Sequence, residues 1–183
     1  MTDTLIVSPD LSLRPLQLTD AEALFALTDR NRPYLREWLP WLDKTQSSLD
    51  TLNFIKLIID QDNKGHGPNF ALVYEDCIVG SIGFHAFDTE NKIASIGYWL
   101  SEDMQQRGIM TRACQALVHH ALITLDMNRV EIRVATSNHK SQAIPKRLGF
   151  KQEGILRDRE NLYGCYVDHV MYSLLKSEYT QNQ

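Results

Sequence analysis

The spacing of hydrophobic and polar residues divides the chain into an early part with helical spacing and a later part with mixed spacing. The run LTDAEALFALTDR places apolar residues on one helical face behind Thr19 or Asp20, either of which can cap a helix. The run SSLDTLNFIKLIIDQ begins with a capping-box pattern from Ser47 to Asp50. The early part therefore predicts two amphipathic helices.

The segment RPYLREWLPWL lies between these two runs and is bracketed by prolines, which predicts a partly helical connection. Its aromatic residues are Tyr34, Trp38 and Trp41. Packing in the core is the ordinary role of such side chains, and contact with a substrate is the alternative. Both interpretations stay open for these three residues.

Runs rich in β-branched and aromatic residues dominate the later part. NFALVYE, IVGSIGFHAF and KIASIGYWL are separated by short polar segments and predict an antiparallel meander of three strands. GIMTRACQALVHHALITL has an apolar residue every four positions and predicts a helix. RVEIRVAT then predicts a strand, SQAIPKRLGF a short helix, and FKQEGILR and YVDHVMYSLL two final strands.

Together with a strand expected near the N-terminus, these elements predict an α/β fold. We expect a central mixed, mostly antiparallel sheet of about seven strands with helices on both faces. A length of 183 residues fits one compact domain over residues 1–183.

Composition narrows the functional classes. A net charge of −4 argues against a protein that binds nucleic acid directly, because such binding needs clustered Lys and Arg. No apolar run is long enough to cross a bilayer and no secretory signal begins the chain, so we expect a cytoplasmic protein without a membrane segment. Three separated cysteines, without a CxxC pair, predict reduced thiols and no zinc site.

The polar stretch MQQRGIMTR joins the strand KIASIGYWL to the long predicted helix. Gly108 can serve there simply as the glycine of a turn. The first turn of a helix also offers unpaired N–H groups and the positive end of the helix dipole, which together bind anions. A diphosphate cradle around Gly108 is therefore the alternative to a plain loop.

The same stretch resembles the Q/R-x-x-G-x-G/A motif of the GNAT superfamily of acyl-CoA-dependent N-acyltransferases. Met110 departs from the motif, since Gly or Ala is usual at that position, and GIM after IGYWL resembles the ribosomal-protein N-acetyltransferase branch of the superfamily, the Rim type. The segments REWLPWL, SNHKSQAIPKRLGF and NLYGCYVDHVMYSLL resemble that branch as well. The resemblance implies the GNAT fold and acetyl-CoA as co-substrate.

By this resemblance, the pantetheine lies against the central strand, and the diphosphate lies on the loop that follows it. The implied acetyl-CoA contacts are Tyr98, Trp99, Leu100, Gln105, Gln106, Arg107, Gly108, Ile109, Met110, Thr111, Asn138 and Ser141. The implied contacts of the acceptor are Arg36, Trp38, Trp41, Tyr163 and Tyr166.

Two residues are implied to transfer protons. Ser141 matches the serine proposed in this branch as the acid for the departing thiolate, and Glu160 matches the glutamate proposed as the base. Ser141 also precedes a predicted helix that has Pro145 in an early turn, so it can be the helix cap, and Asn138 can cap the same helix or contact the CoA arm. Tyr163 and Tyr166 are reserve acids.

Other candidate chemistry is weaker. His119 and His120 lie in the long predicted helix without any clustered ligand spacing, so we predict no metal site. Cys165 has no predicted histidine partner, so direct attack by the amine is favoured over an acyl-enzyme.

The predicted reaction is acetyl transfer from acetyl-CoA to an amine. The resemblance implies the N-terminal Ser or Ala of a ribosomal protein as acceptor, and a small amine such as a polyamine or an amino sugar is the main alternative. A CoA-binding module without turnover is the alternative from another class. The resemblance also implies a homodimer.

Overall fold

The computed structural model describes residues 3–181. Its strands are β1 (Leu5–Ser8), β2 (Leu11–Pro15), β3 (Asn69–Tyr74), β4 (Cys77–Asp88), β5 (Ile93–Leu100), β6 (Arg129–Ala135), β7 (Lys151–Leu162) and β8 (Cys165–Leu175). Its helices are α1 (Ala21–Arg30), α2 (Arg32–Leu35), α3 (Ser48–Asn63), α4 (Ile109–His119), α5 (His139–Arg147) and α6 (Lys176–Gln181). The outermost residues of the predicted domain, residues 1, 2, 182 and 183, lie outside this description.

The strands form one mixed sheet in the order β1-β2-β3-β4-β5-β6-β8-β7. Within residues 3–181, β5 and β6 pair in parallel and every other neighbouring pair is antiparallel. The predicted α/β fold and the three-strand meander β3–β5 are confirmed. The sheet has eight strands where about seven were predicted, because a turn at Pro9 and Asp10 divides the N-terminal strand into the hairpin β1–β2.

Alternation along the strands gives each face of the sheet its own apolar layer. Phe70 and Leu72 belong to the large core that includes the buried face of α4. Ala71, between them, belongs to a second cluster with residues of α1 and α3. Because neighbouring residues of a strand point to opposite faces, α4 covers one face of the sheet and α1 with α3 covers the other, as predicted.

Helix starts follow the predicted caps in part. The hydroxyl of Ser47 accepts a hydrogen bond from the Asp50 amide at 3.3 Å, which confirms the cap of α3. Asp20 precedes α1, but its carboxylate accepts from Arg14 at 2.7 Å and from the Gln17 amide at 2.8 Å instead of capping α1. The predicted long helix is α4 followed by one π-helical turn, His120–Thr124. Between residues 3 and 181, the structure contains no helix with the length and apolar character needed to cross a membrane.

Candidate active site

The site begins where β5 and β6 separate. The two strands pair over only four residues each, from Ile93 with Arg129 to Ile96 with Ile132. From Gly97 onward, β5 still pairs with β4, but its other edge has no strand partner. Backbone N–H and C=O groups on such an edge need a partner from water or from a ligand.

A cavity of about 960 Å³ opens around this gap. Its volume is at the upper end of the range of small-molecule sites. Fourteen of the predicted site residues line it: Trp38, Trp41, Tyr98, Trp99, Leu100, Gln105, Gln106, Gly108, Ile109, Met110, Thr111, Asn138, Ser141 and Glu160. The structure therefore brings the early connection, the loop before α4 and the β7–β8 hairpin to one place.

The loop before α4 has the conformation that an anion site needs. Gly108 occupies the N-cap position with φ 71° and ψ 2°, and Gln106 also has a positive φ of 62°. Among the described residues, no side chain caps α4, so the N–H groups of its first turn lack a side-chain acceptor, and the residues of this turn line the cavity. Lys140 and Arg147 of α5 line the same cavity and add positive charge, whereas Arg107 lies outside its lining.

Met110, which departs from the family motif, packs into the core. Its side chain is only 6% exposed, and Ile109 beside it is 1% exposed. These two residues anchor the start of α4 to the sheet. The methionine side chain therefore fills space below the helix.

Asn138, and not Ser141, is the N-cap of α5. The Asn138 side chain accepts a hydrogen bond from the Ser141 amide at 3.0 Å. Of the two caps that the sequence left open, the structure thus has Asn138. Pro145 is the seventh residue of α5, so the prediction that it lies in an early turn was wrong. The hydroxyl of Ser141 is left for another role.

Pro145 explains the partner that the Ser141 backbone finds. Proline has no N–H, so it cannot donate to the carbonyl four residues earlier, which belongs to Ser141. The Tyr98 hydroxyl donates to that carbonyl at 3.3 Å and accepts from the Ser141 hydroxyl at 3.3 Å. Burial raises the pKa of Tyr98 well above its usual range, and nearby Cys114 adds to the effect, so Tyr98 stays a neutral phenol.

Glu160 lies on the side of the cavity away from α4, close to His85 and His169. Its carboxylate is 3.5 Å from the imidazole Nε2 of His169, a buried atom that has no hydrogen-bond partner within residues 3–181. His85 lies against Gly97, where an added Cβ would be 2.1 Å from its Nε2. His85 is open to the cavity, yet the cavity walls desolvate its ring and lower its pKa; Arg133 lowers it further, and Glu160 opposes the shift.

Trp38 and Trp41 line the cavity and do not belong to the buried core. Trp41 is 37% exposed and meets the Trp99 ring at a centroid distance of 6.5 Å and an angle of 58°. Of the two interpretations, packing in the core and contact with a substrate, the structure therefore favours the second for these two tryptophans. They form an open aromatic wall of the cavity. Tyr34 lines the same cavity.

Arg36 and Tyr163 contact each other outside the cavity lining. The Arg36 guanidinium lies 3.8 Å from the centre of the Tyr163 ring and donates two hydrogen bonds of 2.8 Å to Asp43. The Tyr163 hydroxyl donates to the Leu39 carbonyl at 2.6 Å, so it is not placed as a reserve acid. Tyr166 is 64% exposed and also lies outside the lining. Acceptor contacts by Arg36, Tyr163 and Tyr166 stay predictions.

Among the cavity residues that were not predicted are two histidines and two arginines that lie on strands: His85, Arg133, Arg159 and His169. Each occupies a strand position that reads in sequence as an ordinary polar residue. In the described part of the chain, no group of three or more His, Cys, Asp or Glu side chains is arranged to hold a metal ion.

Comparison with known proteins accounts for this architecture. The acetyltransferase (GNAT) domain profile matches residues 10–151. The putative ribosomal N-acetyltransferase YdaF of Bacillus subtilis (strain 168) is 37% identical over 177 residues, which cover 94% of this chain and 95% of YdaF. A coenzyme A complex of RimL, a ribosomal L7/L12 alpha-N-protein acetyltransferase, superposes with a TM-score of 0.92 at 30% identity over 96% of this chain and 99% of RimL. The microcin C7 self-immunity acetyltransferase MccE, in complex with acetyl-CoA and AMP, has a TM-score of 0.89 at 29% identity over 92% of this chain and 94% of the MccE chain.

Proposed function

Because this chain belongs to the GNAT acetyltransferase family and uses acetyl-CoA as its co-substrate, we propose that it acetylates the N-terminal α-amino group of a ribosomal protein. The observation that carries this proposal is the two-sided cavity. A helix N-terminus and an unpaired strand edge meet Ser141 on one side, and Glu160 lies on the other. Such an arrangement suits a reaction between two substrates that enter from opposite faces.

Acetyl-CoA is assigned to the side that holds α4 and α5. The N–H groups around Gly108 bind the diphosphate, and the positive end of the α4 dipole favours its negative charge. The free edge of β5, from Gly97 to Leu100, supplies backbone partners for the amides of the pantetheine. Asn138 acts here as the cap of α5 and positions Ser141.

The amine enters on the side of Glu160. It must be unprotonated to attack, and an α-amino group with a pKa near about 8 gives up its proton more easily than a lysine side chain near about 10.4. Glu160 is the base that accepts this proton. His85, whose pKa is lowered, stays neutral at pH 7 and adds no positive charge that would repel the ammonium form of the acceptor.

The thioester carbon then accepts the amine nitrogen, and the C–S bond breaks from the tetrahedral intermediate. The departing thiolate needs one proton, which Ser141 supplies. Tyr98 accepts from the Ser141 hydroxyl at 3.3 Å and holds it in place. Glu160 releases the amine proton to solvent, and Ser141 regains its proton from solvent. The overall reaction transfers one acetyl group from sulfur to nitrogen and releases free CoA.

The acceptor is assigned from the relatives and from the open aromatic wall. YdaF is a putative ribosomal N-acetyltransferase, and RimL is a ribosomal L7/L12 alpha-N-protein acetyltransferase. In this chain, Trp38 and Trp41 offer a broad surface for the end of a peptide. MccE has a similar identity to this chain but is a microcin C7 self-immunity acetyltransferase. Similarity at this level therefore does not fix the acceptor, and a small amine stays the alternative. A ribosomal acceptor implies a cytoplasmic enzyme. A homodimer stays a prediction that a light-scattering mass tests.

To test the function, the purified protein is incubated with labelled acetyl-CoA and ribosomal proteins, beside a panel of polyamines, amino sugars and aminoacyl nucleotides. We expect label on the N-terminal residue of one ribosomal protein, located by mass spectrometry. Label on small amines alone would overturn the acceptor assignment, and absence of CoA release with any acceptor would favour the binding module.

The assigned proton transfers are tested with Glu160→Gln and Ser141→Ala. Glu160→Gln should lower kcat/KM by about 10²-fold or more at pH 7, with partial recovery as the pH approaches the pKa of the acceptor amine. Ser141→Ala should lower kcat with little change in the KM of acetyl-CoA. Full activity of Glu160→Gln across the pH range would remove it as the base.

A further inference from the structure

Arg133 occupies a special position on β6, directly after the last residue that pairs with β5. Val130, Ile132 and Val134 of the same strand face the core beneath α4. Arg133 therefore points to the other face, towards the side of α1 and α3, and its side chain lines the cavity there. It is partly buried.

Arg133 lacks the partners that such an arginine normally has. Arg129, four residues earlier on the same face of β6, donates to Glu131 at 2.7 Å and to Glu153 at 2.8 Å. Within residues 3–181, Arg133 forms neither a hydrogen bond nor an ion pair. A guanidinium carries five N–H donors and, when partly buried, ordinarily binds a carboxylate or carbonyl.

The positive charge of Arg133 is poorly compensated by the charged groups around it. Arg159, on β7, lines the same cavity and is likewise without an ion pair in the described residues. Desolvation lowers the pKa of Arg133, and Arg159 lowers it further, while Glu131 and Glu160 raise it. Since Glu131 already binds Arg129, two guanidinium groups share one available carboxylate at this end of the cavity.

We propose that Arg133 and Arg159 form an anion subsite in the acceptor half of the cavity, which binds the carboxylate of an Asp or Glu close to the N-terminus of the acceptor peptide. The subsite rests on the proposed function, because it places the N-terminal amine of the same peptide beside Glu160. Bidentate binding by a guanidinium would fix the peptide orientation as well as its charge. A polyamine, which carries only positive charge, is disfavoured by the same pair.

The test uses peptides that start with the same serine and differ at one nearby position. Glu, Gln or Lys is placed at position 2, 3, 4 or 5, and kcat/KM is measured with saturating acetyl-CoA. For at least one position, we expect the Glu peptide to exceed the Gln peptide by about tenfold, and the Lys peptide to be the slowest. Higher ionic strength should reduce the preference.

Arg133→Gln is the decisive variant. It should reduce the preference for Glu over Gln to within about twofold, and this ratio of the two peptides, measured in the same variant, is the readout. Arg157→Gln is the matched control, because Arg157 is also on β7 but is exposed and lies outside the cavity lining. The control should keep the full preference. A thermal unfolding scan and a CoA titration show that both variants are folded.

Three results would count against the subsite. Equal rates for the Glu and Gln peptides in the wild type would overturn it and leave the proposed function intact. A preference that survives in Arg133→Gln would overturn the assignment of Arg133. Acetylation of a small carboxylate-bearing amine in place of every peptide would overturn the peptide acceptor, and the proposed function with it.

Discussion

Replacement of Gly108 separates a turn glycine from a ligand-binding glycine. Gly108 has a positive φ of 71°, and in the protein alone a Cβ at this position would meet nothing within 4 Å. Gly108→Ala therefore adds backbone strain without a steric clash inside the protein. Gly108→Asn adds the same Cβ with less strain, because asparagine adopts the left-handed conformation more readily.

The magnitudes follow from this geometry. A non-glycine residue in the left-handed region costs roughly 1–2 kcal/mol, and the lower entropy of the unfolded alanine chain offsets about 0.4–1 kcal/mol of that cost. A net loss of about 1 kcal/mol lowers Tm by about 2–4 °C in a protein of this size. Gly108→Asn should lose less. If a diphosphate approaches this backbone closely, both variants should bind CoA about tenfold or more weakly, whatever their difference in Tm.

Gly149 provides the matched control for this experiment. It follows α5, has a positive φ of 79°, and a Cβ there would also meet nothing within 4 Å. It does not line the cavity. Gly149→Ala should therefore lower Tm about as much as Gly108→Ala and leave CoA affinity unchanged. Thermal unfolding without ligand and calorimetric titration with CoA measure the two effects; wild-type affinity in Gly108→Asn would show that Gly108 serves only the turn.

Three further predictions address other parts of the molecule. Tyr98→Phe should lower kcat several-fold with little change in the KM of acetyl-CoA, because the Ser141 hydroxyl and carbonyl both lose their partner; wild-type kcat would contradict this. Gly97→Ala should displace the His85 ring, which a Cβ would meet at 2.1 Å, and lower acceptor kcat/KM with CoA binding retained; unchanged acceptor kinetics would exclude a role for that ring. Two lysines lower the pKa of Asp126 to about 2, so its stabilising contribution is present at neutral pH and is lost as the pH falls from about 4 towards 2. Asp126→Asn should flatten that part of the pH profile of the urea midpoint, and an unaltered slope would refute the ion pairs.

The residues proposed to bind the co-substrate could be grouped from the sequence because most of them are local. The strand end, the turn and the helix start follow one another in residues 97–112, and each has its own pattern. The sequence did not decide which residue caps α5. In the pattern from Asn138 to Ser141 either residue is a good N-cap, and only the backbone shows that Asn138 accepts and Ser141 donates its amide.

The acceptor side could not be predicted in the same way because four strands contribute to it, and Glu160 was implied there only by the family resemblance. His85, Arg133, Glu160 and His169 come from β4, β6, β7 and β8, and strand register alone brings them together. In sequence, Arg133 looks like Arg129, since both alternate with buried residues of one strand. Their different partners depend on where β5 stops pairing, which no local pattern encodes.

The short parallel contact between β5 and β6 also has a consequence for how the molecule comes apart. It joins an N-terminal half of sequential antiparallel strands to a C-terminal half formed by β6, β8 and β7, and within the sheet it does so over four residue pairs. Local opening is easiest where few hydrogen bonds must break. The gap between β5 and β6 is thus the weakest line across the sheet. If CoA binds there as proposed, it connects the two halves of the sheet, and we expect it to slow amide exchange in both.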